Sequence, residues 1–276
     1  THFANARAII DAGAALALSG CALQGIFRNP LADPSLLGVS SGAAVGAAMA
    51  LVFSLPFLPL WAFLGGVGVT ALLFQMSKFG GRVSVARMLL AGIAVNALCG
   101  ALIGVFIFIS ANAQLRDITF WSLGSLAGAG WGQLAVLAVL LLFAYGILQM
   151  LAPSLNALLL GDAEAAHLGV NTARVQGICV TLSAGLVAVC VANCGIISFL
   201  GLVAPHMARM ILGPDHRKLV GAAALLGALI LLLSDTAART LVSPAELPVG
   251  ILTALLGAPF FLALLYGSRK SYFYFQ

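Results

Sequence analysis

The sequence predicts an all-α fold, a polytopic transmembrane helix bundle. Three observations carry that prediction. Of the 276 residues, 62% are hydrophobic and only 8% are charged, whereas a soluble domain is about a quarter charged. The apolar residues form continuous runs long enough to cross a bilayer as helices, not the short alternating segments of a transmembrane barrel. Glycine is abundant, at 31 residues, as close helix contacts in lipid require. Nine spans are expected, at 7–28, 34–54, 58–77, 84–110, 131–152, 173–193, 195–212, 218–236 and 247–267, within a single domain over 1–270. Residues 271–276 end in Tyr274-Phe275-Gln276, which resembles the end of a protease-cleavage tag, and are set apart.

The first two spans are joined by Arg28-Asn29-Pro30-Leu31-Ala32-Asp33. Pro30 disfavours the α conformation at Asn29, so the first helix stops there. Arg28 is then expected in its last turn, where a cation suits a helix C-terminus. Asp33 is a good N-cap and Pro34 a good first helical residue. In the second span Gly38, Gly42 and Gly46 leave one face bare for another helix, and Gly100 and Gly104 repeat the pattern in the fourth. Simple packing and a moving interface are the two readings of each stripe. Asn96 in the fourth span either bonds a neighbouring helix or lines a pathway.

Residues 111–130, with Trp121 and then Trp131 suited to a membrane interface, read as a short surface or re-entrant helix. Pro153 is expected to break the fifth span, and Ser154 can restart a short helix after it. Between 153 and 173, Asp162 is expected to N-cap a short helix over 163–168, Gly169 to end it, and Asn171 or Thr172 to cap the next span. Ala163, Ala165 and Ala166 give that helix a smooth surface, and so ordered a connection reads as a docking knob. The seventh span should kink or break at Pro205. His206 beside it has no second ligand one turn on and reads as structural. Two pairs, Arg7 with Asp11 and Asp235 with Arg239, are at i, i+4. Each is either a local ion pair or part of a charged rim that meets a soluble partner.

Topology follows from charge. If the 28–33 turn is cytoplasmic, ten of the 13 Lys and Arg residues lie on that side, and only Arg7, Arg116 and Arg239 on the other. That places the C-terminus inside and residue 1 outside. No signal peptide opens the chain, so a further helix before Thr1 is expected, making ten. The net charge of +5 is a topological excess, without the basic clusters that would point to nucleic acid. Cys21, Cys99, Cys179, Cys190 and Cys194 sit in apolar segments without metal spacing and read as packing residues. No P-loop, zinc-protease, serine-hydrolase or paired intramembrane carboxylate pattern occurs, so no catalytic residue, metal site or cofactor is assigned. Energy for transport would then come from a partner.

Three ordered motifs carry a resemblance. Ser19-Gly20, Gln24 and Asn29-Pro30-Leu31-Ala32-Asp33-Pro34 with Leu37-Gly38-Val39-Ser40-Ser41-Gly42 form the first. The others are Gly201-Leu202-Val203-Ala204-Pro205-His206-Met207-Ala208-Arg209 and Glu246-Leu247-Pro248-Val249-Gly250. Over nearly its whole length the chain resembles the FecCD-type permease subunits of ABC importers for iron-siderophores, haem and vitamin B12. The resemblance implies a homodimer with the path at its twofold axis in a bacterial inner membrane. It also implies two ATP-binding cassette subunits, which hold the ATP and Mg, and a periplasmic substrate-binding protein. Carried over by position, Asn29 and Leu31 form a cytoplasmic gate. Asp162, Ala163, Glu164, Ala165, Ala166, His167, Leu168 and Gly169 dock on the ATPase, although Gly169 follows Ala166 one residue sooner than in the broader importer signature. Arg239, with Glu246 and Arg116, would meet the binding protein. The family often has Leu-Pro-Arg where this chain has Asn5-Ala6-Arg7. The stretches 114–126 and 161–165 look most like the haem-importing branch. Haem import is thus expected, with a siderophore or cobalamin permease as the alternative and a self-sufficient secondary carrier as the more distant one.

Overall fold

The computed structural model describes the backbone of residues 2–79, 82, 83, 85–126, 131–241 and 247–272. Apart from one ribbon it is all helical. The long helices are α1 (His2–Phe27), α3 (Leu58–Ser77), α4 (Val85–Ile109), α6 (Trp131–Leu158), α8 (Thr172–Cys194), α10 (His216–Leu241) and α11 (Val249–Tyr272). Shorter ones are α2 (Val39–Val52), α5 (Asn112–Ser122), α7 (Asp162–His167) and α9 (Leu200–Leu212). The ribbon pairs β1 (Lys78–Phe79) antiparallel to β2 (Arg82–Val83). Among the described residues, six helices are long and apolar enough to cross a membrane, namely α1, α3, α4, α6, α8 and α10.

Two of the remaining predicted spans are shorter than expected. At 1.5 Å per residue, α2 and α9 reach about 20 Å, less than the hydrocarbon core of about 30 Å. The 34–54 segment begins as a single 3-10 turn, Pro34–Leu37, and Gly38, at φ +67°, separates it from α2. The 195–212 segment is interrupted before Leu200, where Phe199 takes φ +65°, and α9 then runs unbroken through Pro205. Nor does Pro153 end α6, which continues to Leu158. Its buried stripe Leu148, Ala152, Leu155 and Leu158 holds the helix to the bundle, while Pro153 points outward.

The bundle is arranged around α1 and α8. The apolar stretch of α1 is 89% buried and that of α8 72%, against 17% for α4 and 22% for α3 and α6. The central helix is rich in Ala and Gly, because small side chains are what let neighbours close on it from all sides. Gly13 of α1 meets the backbone of Gly227 in α10, and Gly20 meets the carbonyl of Gly201 in α9. Ser19 and Ser183 donate to each other's carbonyls at 3.4 and 3.2 Å, joining α1 to α8.

The two glycine stripes part ways. Gly42 packs on Gly65, and Gly46 on Trp61, so the α2 stripe is helix packing against α3. Gly100 and Gly104 have open space beside them. They lie on a face of α4 with Ile93, Ile107 and Phe108, which are 70%, 39% and 88% exposed. Asn96 accepts a hydrogen bond from Ser41 of α2. All five cysteines are buried.

Candidate functional site

The 28–33 turn is a fixed object. Past Phe27, Arg28 takes φ +51°, one residue beyond the helix rather than inside its last turn. Its N–H and that of Asn29 donate to the carbonyls of Gly25 and Gln24, both at 3.3 Å, closing off α1. Asn29 Oδ1 accepts from the Leu31 N–H at 2.9 Å, and the Ala32 N–H donates back to the Asn29 carbonyl at 3.1 Å. Asp33 caps the 3-10 turn as the sequence predicts, its carboxylate accepting from the Ser35 N–H at 2.8 Å. Desolvation holds that carboxyl above the usual carboxylate range, and the bonds to Ser35 work in the opposite direction.

Fully buried Gln24 joins the turn to α9. Its amide donates to the Leu202 carbonyl at 3.2 Å and more loosely to that of Ala32 at 3.5 Å. Pro34 lies against Gly201. Where these elements meet there is a cavity of about 340 Å³, lined by Leu31, Asp33, Ser35, Ser40, Phe199 and Phe261 among others. Asn96 belongs to this neighbourhood through Ser41, and its Oδ1 faces Gly38. Asn29 is exposed and Leu31 half-buried.

At the C-terminus of α6 the chain turns through Leu159, Leu160 and Gly161 into α7. Gly161, at φ +125°, is the N-cap, and Asp162 is the first helical residue instead of the cap expected from the sequence. The Asp162 carboxylate is directed elsewhere: its Oδ2 lies 3.6 Å from Arg28 Nη2. Gly169, at φ +82°, ends the helix as predicted, with its N–H and that of Val170 donating to Ala166 and Ala165. Asn171 caps α8 through the Arg174 N–H at 3.1 Å. Only Ala165 is buried, so Ala163, Glu164, Ala166, His167, Leu168 and Gly169 are presented outward. Exposed Leu160 and Leu168 flank the helix. Asn156, in the last turn of α6, fastens the base of this connection. Its amide donates to Asp215 at 2.6 Å, and its oxygen accepts from the His216 N–H at 2.9 Å. Asp215 is held below the usual carboxylate range, chiefly by Asn156 and the Arg217 N–H.

The other predicted residues form a second group. Arg239 is bidentate to Asp235, at 2.6 and 3.2 Å. Both line a recess of about 220 Å³ shared with Phe120 of α5 and Leu247. Arg116 is exposed on α5, outside that recess. Glu246 lies outside the described residues. Gln114 of α5 donates to the Val52 carbonyl at 2.9 Å, seating this surface helix on the end of α2. Arg7 and Asp11 form the local pair their spacing suggests, at 3.8 Å. His206 packs edge-on against Phe260.

This combination of capped turn, short projecting helix and glycine-packed bundle has relatives. The profile of the FecCD transport family matches residues 3–267. The chain belongs to the FecCD transport family. The hemin transport system permease protein HmuU of Yersinia pestis is 51% identical to this FecCD chain, over 94% of it and 79% of the relative. The vitamin B12 import system permease protein BtuC of Citrobacter koseri is 40% identical, over 95% of this chain and 80% of its own. A solved metal-chelate type ABC transporter in an inward-facing conformation superposes with a TM-score of 0.90 at 40% identity, covering 97% of this chain and 86% of that one. PsaBC of Streptococcus pneumoniae shares the fold alone, with a TM-score of 0.63 at 14% identity. This FecCD protein is therefore a multi-pass ABC importer permease.

Sequence reasoning missed three residues that shape the site. It takes Arg28 as a complement to the helix dipole and a cytoplasmic cation, takes Gly161 only as part of the 161–165 resemblance, and does not single out Asn156. The signal for Arg28 was a bulky residue at a helix end that the following Asn-Pro forbids to continue. The signal for Gly161 was a glycine immediately before a paired-acid helix start.

Proposed function

We propose that this chain is the membrane permease of a haem ABC importer, passing haem from a periplasmic binding protein to the cytoplasm. The observation that carries the reading is α7: six residues, fixed at both ends, with five of its six side chains outside the core. A spacer needs no such order, whereas a force-bearing contact does. Two ATP-binding cassette subunits would grip α7 and the residues through Gly169, and would bind the ATP and Mg that this chain has no motif to hold. Their motion would open and close a gate at Asn29 and Leu31 by alternating access. A second copy of the chain would cover the open face of α4, bringing Gly100 and Gly104 to a twofold path near Asn96. The C-terminus and α7 would be cytoplasmic in a bacterial inner membrane.

Haem as cargo is supported by the 51% identity to a hemin permease, against 40% for a vitamin B12 permease. The test is ATP-dependent uptake into vesicles that contain the chain and its ATP-binding subunits. Hemin, cobalamin and a ferric siderophore would each be presented on the cognate binding protein. Hemin accumulation is expected. Preference for cobalamin or the siderophore would move the chain to that branch, and uptake driven by an ion gradient without ATPase would make it a carrier.

At the outer rim, Arg239 with Arg116 and Glu246 would meet acidic and basic groups of the binding protein. Arg239 would exchange Asp235 for a partner carboxylate, which preserves a desolvated charge pair. Arg239→Glu should weaken binding-protein affinity by about tenfold or more at low salt, with the difference narrowing as salt rises. A titration by light scattering or interferometry reads this directly, and equal affinity at every ionic strength would place docking elsewhere.

A further inference from the structure

We propose that Arg28 is a positioning residue that ties the docking helix α7 to the Asn29–Leu31 turn, so that displacement of α7 moves the gate. The inference rests on the reading of α7 as the ATPase dock and of Asn29 and Leu31 as the gate.

Three observations meet at this residue. First, Arg28 occupies a backbone conformation, φ +51°, that glycine or asparagine fills at least cost. A long cationic side chain there runs against local backbone preference. Second, that far end lies on α7: Arg28 Nη2 is 3.6 Å from Asp162 Oδ2. The other carboxylate oxygen, Asp162 Oδ1, is enclosed with no hydrogen-bond partner, so the carboxylate has Arg28 as its counter-charge. Third, the guanidinium packs at the entry to α7, beside Gly161 at φ +125°. A Cβ there would run into the Glu164 carboxylate and would stand 3.6 Å from Arg28 Nη1.

Both ends of the link are stiff. On one side, Asp162 is the first residue of a helix closed at its C-terminus by Gly169 and based on Asn156. On the other, Arg28 is followed by a turn in which Asn29 holds Leu31, Ala32 holds Asn29 and Asp33 holds Ser35. A shift of Asp162 has no floppy segment in which to dissipate before it reaches Leu31. The pair is nearly half exposed at each side chain, 43% and 45%. Such a pair adds little to stability, and its value lies in connecting two elements that could otherwise move independently.

The test uses the complete transporter in vesicles, with its ATP-binding subunits and hemin-loaded binding protein, and reads hemin taken up per ATP hydrolysed. Arg28→Gly suits the backbone and removes the tie, Arg28→Met keeps the bulk, and Arg28→Lys keeps the charge. The Gly and Met variants are expected to hold their ATP-binding subunits, melt as the parent does, hydrolyse ATP and transport about tenfold less hemin per ATP. Arg28→Lys should retain at least about half of the parental ratio. A residue that merely ends α1 would leave the ratio unchanged in Arg28→Gly. That result, a Lys variant as poor as Gly, or loss of the ATP-binding subunits from Arg28→Gly would each overturn the link. Failure of the docking reading shows itself separately, as normal retention of ATP-binding subunits when Ala163 and Ala166 are both enlarged to Trp.

Discussion

Replacing Gly20 by valine should abolish accumulation of the folded permease. The reason is a carbonyl with no bond to make along its own helix. Pro205 has no N–H to offer the Gly201 carbonyl four residues earlier, and that oxygen lies directly against Gly20 of α1. The bare Cα of Gly20 is what lets α1 and α9 meet there, and its C–H faces the carbonyl. Any Cβ at Gly20 overlaps the Gly201 backbone. Relief would require moving α1, which is 89% buried and packs against α6, α8, α9 and α10. Overpacking a core costs roughly 1–3 kcal/mol when side chains can adjust, and here the obstacle is main chain. A cost of about 3 kcal/mol or more is a large part of a total of roughly 5–15 kcal/mol. Gly146→Val is the control, since nothing lies near that glycine. Size-exclusion of detergent extracts reads both. A monodisperse Gly20→Val peak at parental height would refute the account.

Enlarging Ala163 and Ala166 to Trp should leave the bundle intact and strip the ATP-binding subunits from it. Both alanines are exposed on α7, so their enlargement meets solvent in the isolated chain and the melting temperature should hold. At a docked surface the same side chains would separate the partners. Loss of at least tenfold in affinity, about 1.4 kcal/mol, is expected in a co-purification or binding titration. Unchanged retention would mean that the partner grips another part of the chain.

Local physics made much of this legible in advance. Asp33 and Pro34 start their turn, Asn171 caps α8 and Gly169 ends α7, because each of these depends on chemistry within three or four residues. The family motifs supplied the candidate gate and dock. What the sequence concealed depends on distant neighbours. Pro153 reads as a helix breaker, yet Leu148, Ala152 and Leu155 are fully buried and carry α6 past it. Prolines are tolerated where surrounding helices hold the chain in place. Pro205 was expected to interrupt the seventh span, whereas the interruption lies at 195–199 and the proline frees a carbonyl for α1. Gly42 and Gly100 belong to similar stripes, and only the packed structure separates the one that meets α3 from the one facing outward. Arg28 and Asp162 are 134 positions apart in the chain, and no local pattern pairs them.

The uninterrupted length of α6 has a consequence of its own. Its 28 residues extend about 42 Å, roughly 12 Å more than the hydrocarbon thickness. A bilayer with its headgroups is about 40–45 Å thick, so α6 is long enough to carry α7 out of the hydrocarbon and into the headgroup zone. A soluble partner docking on α7, as proposed, would then reach it without entering the hydrocarbon core.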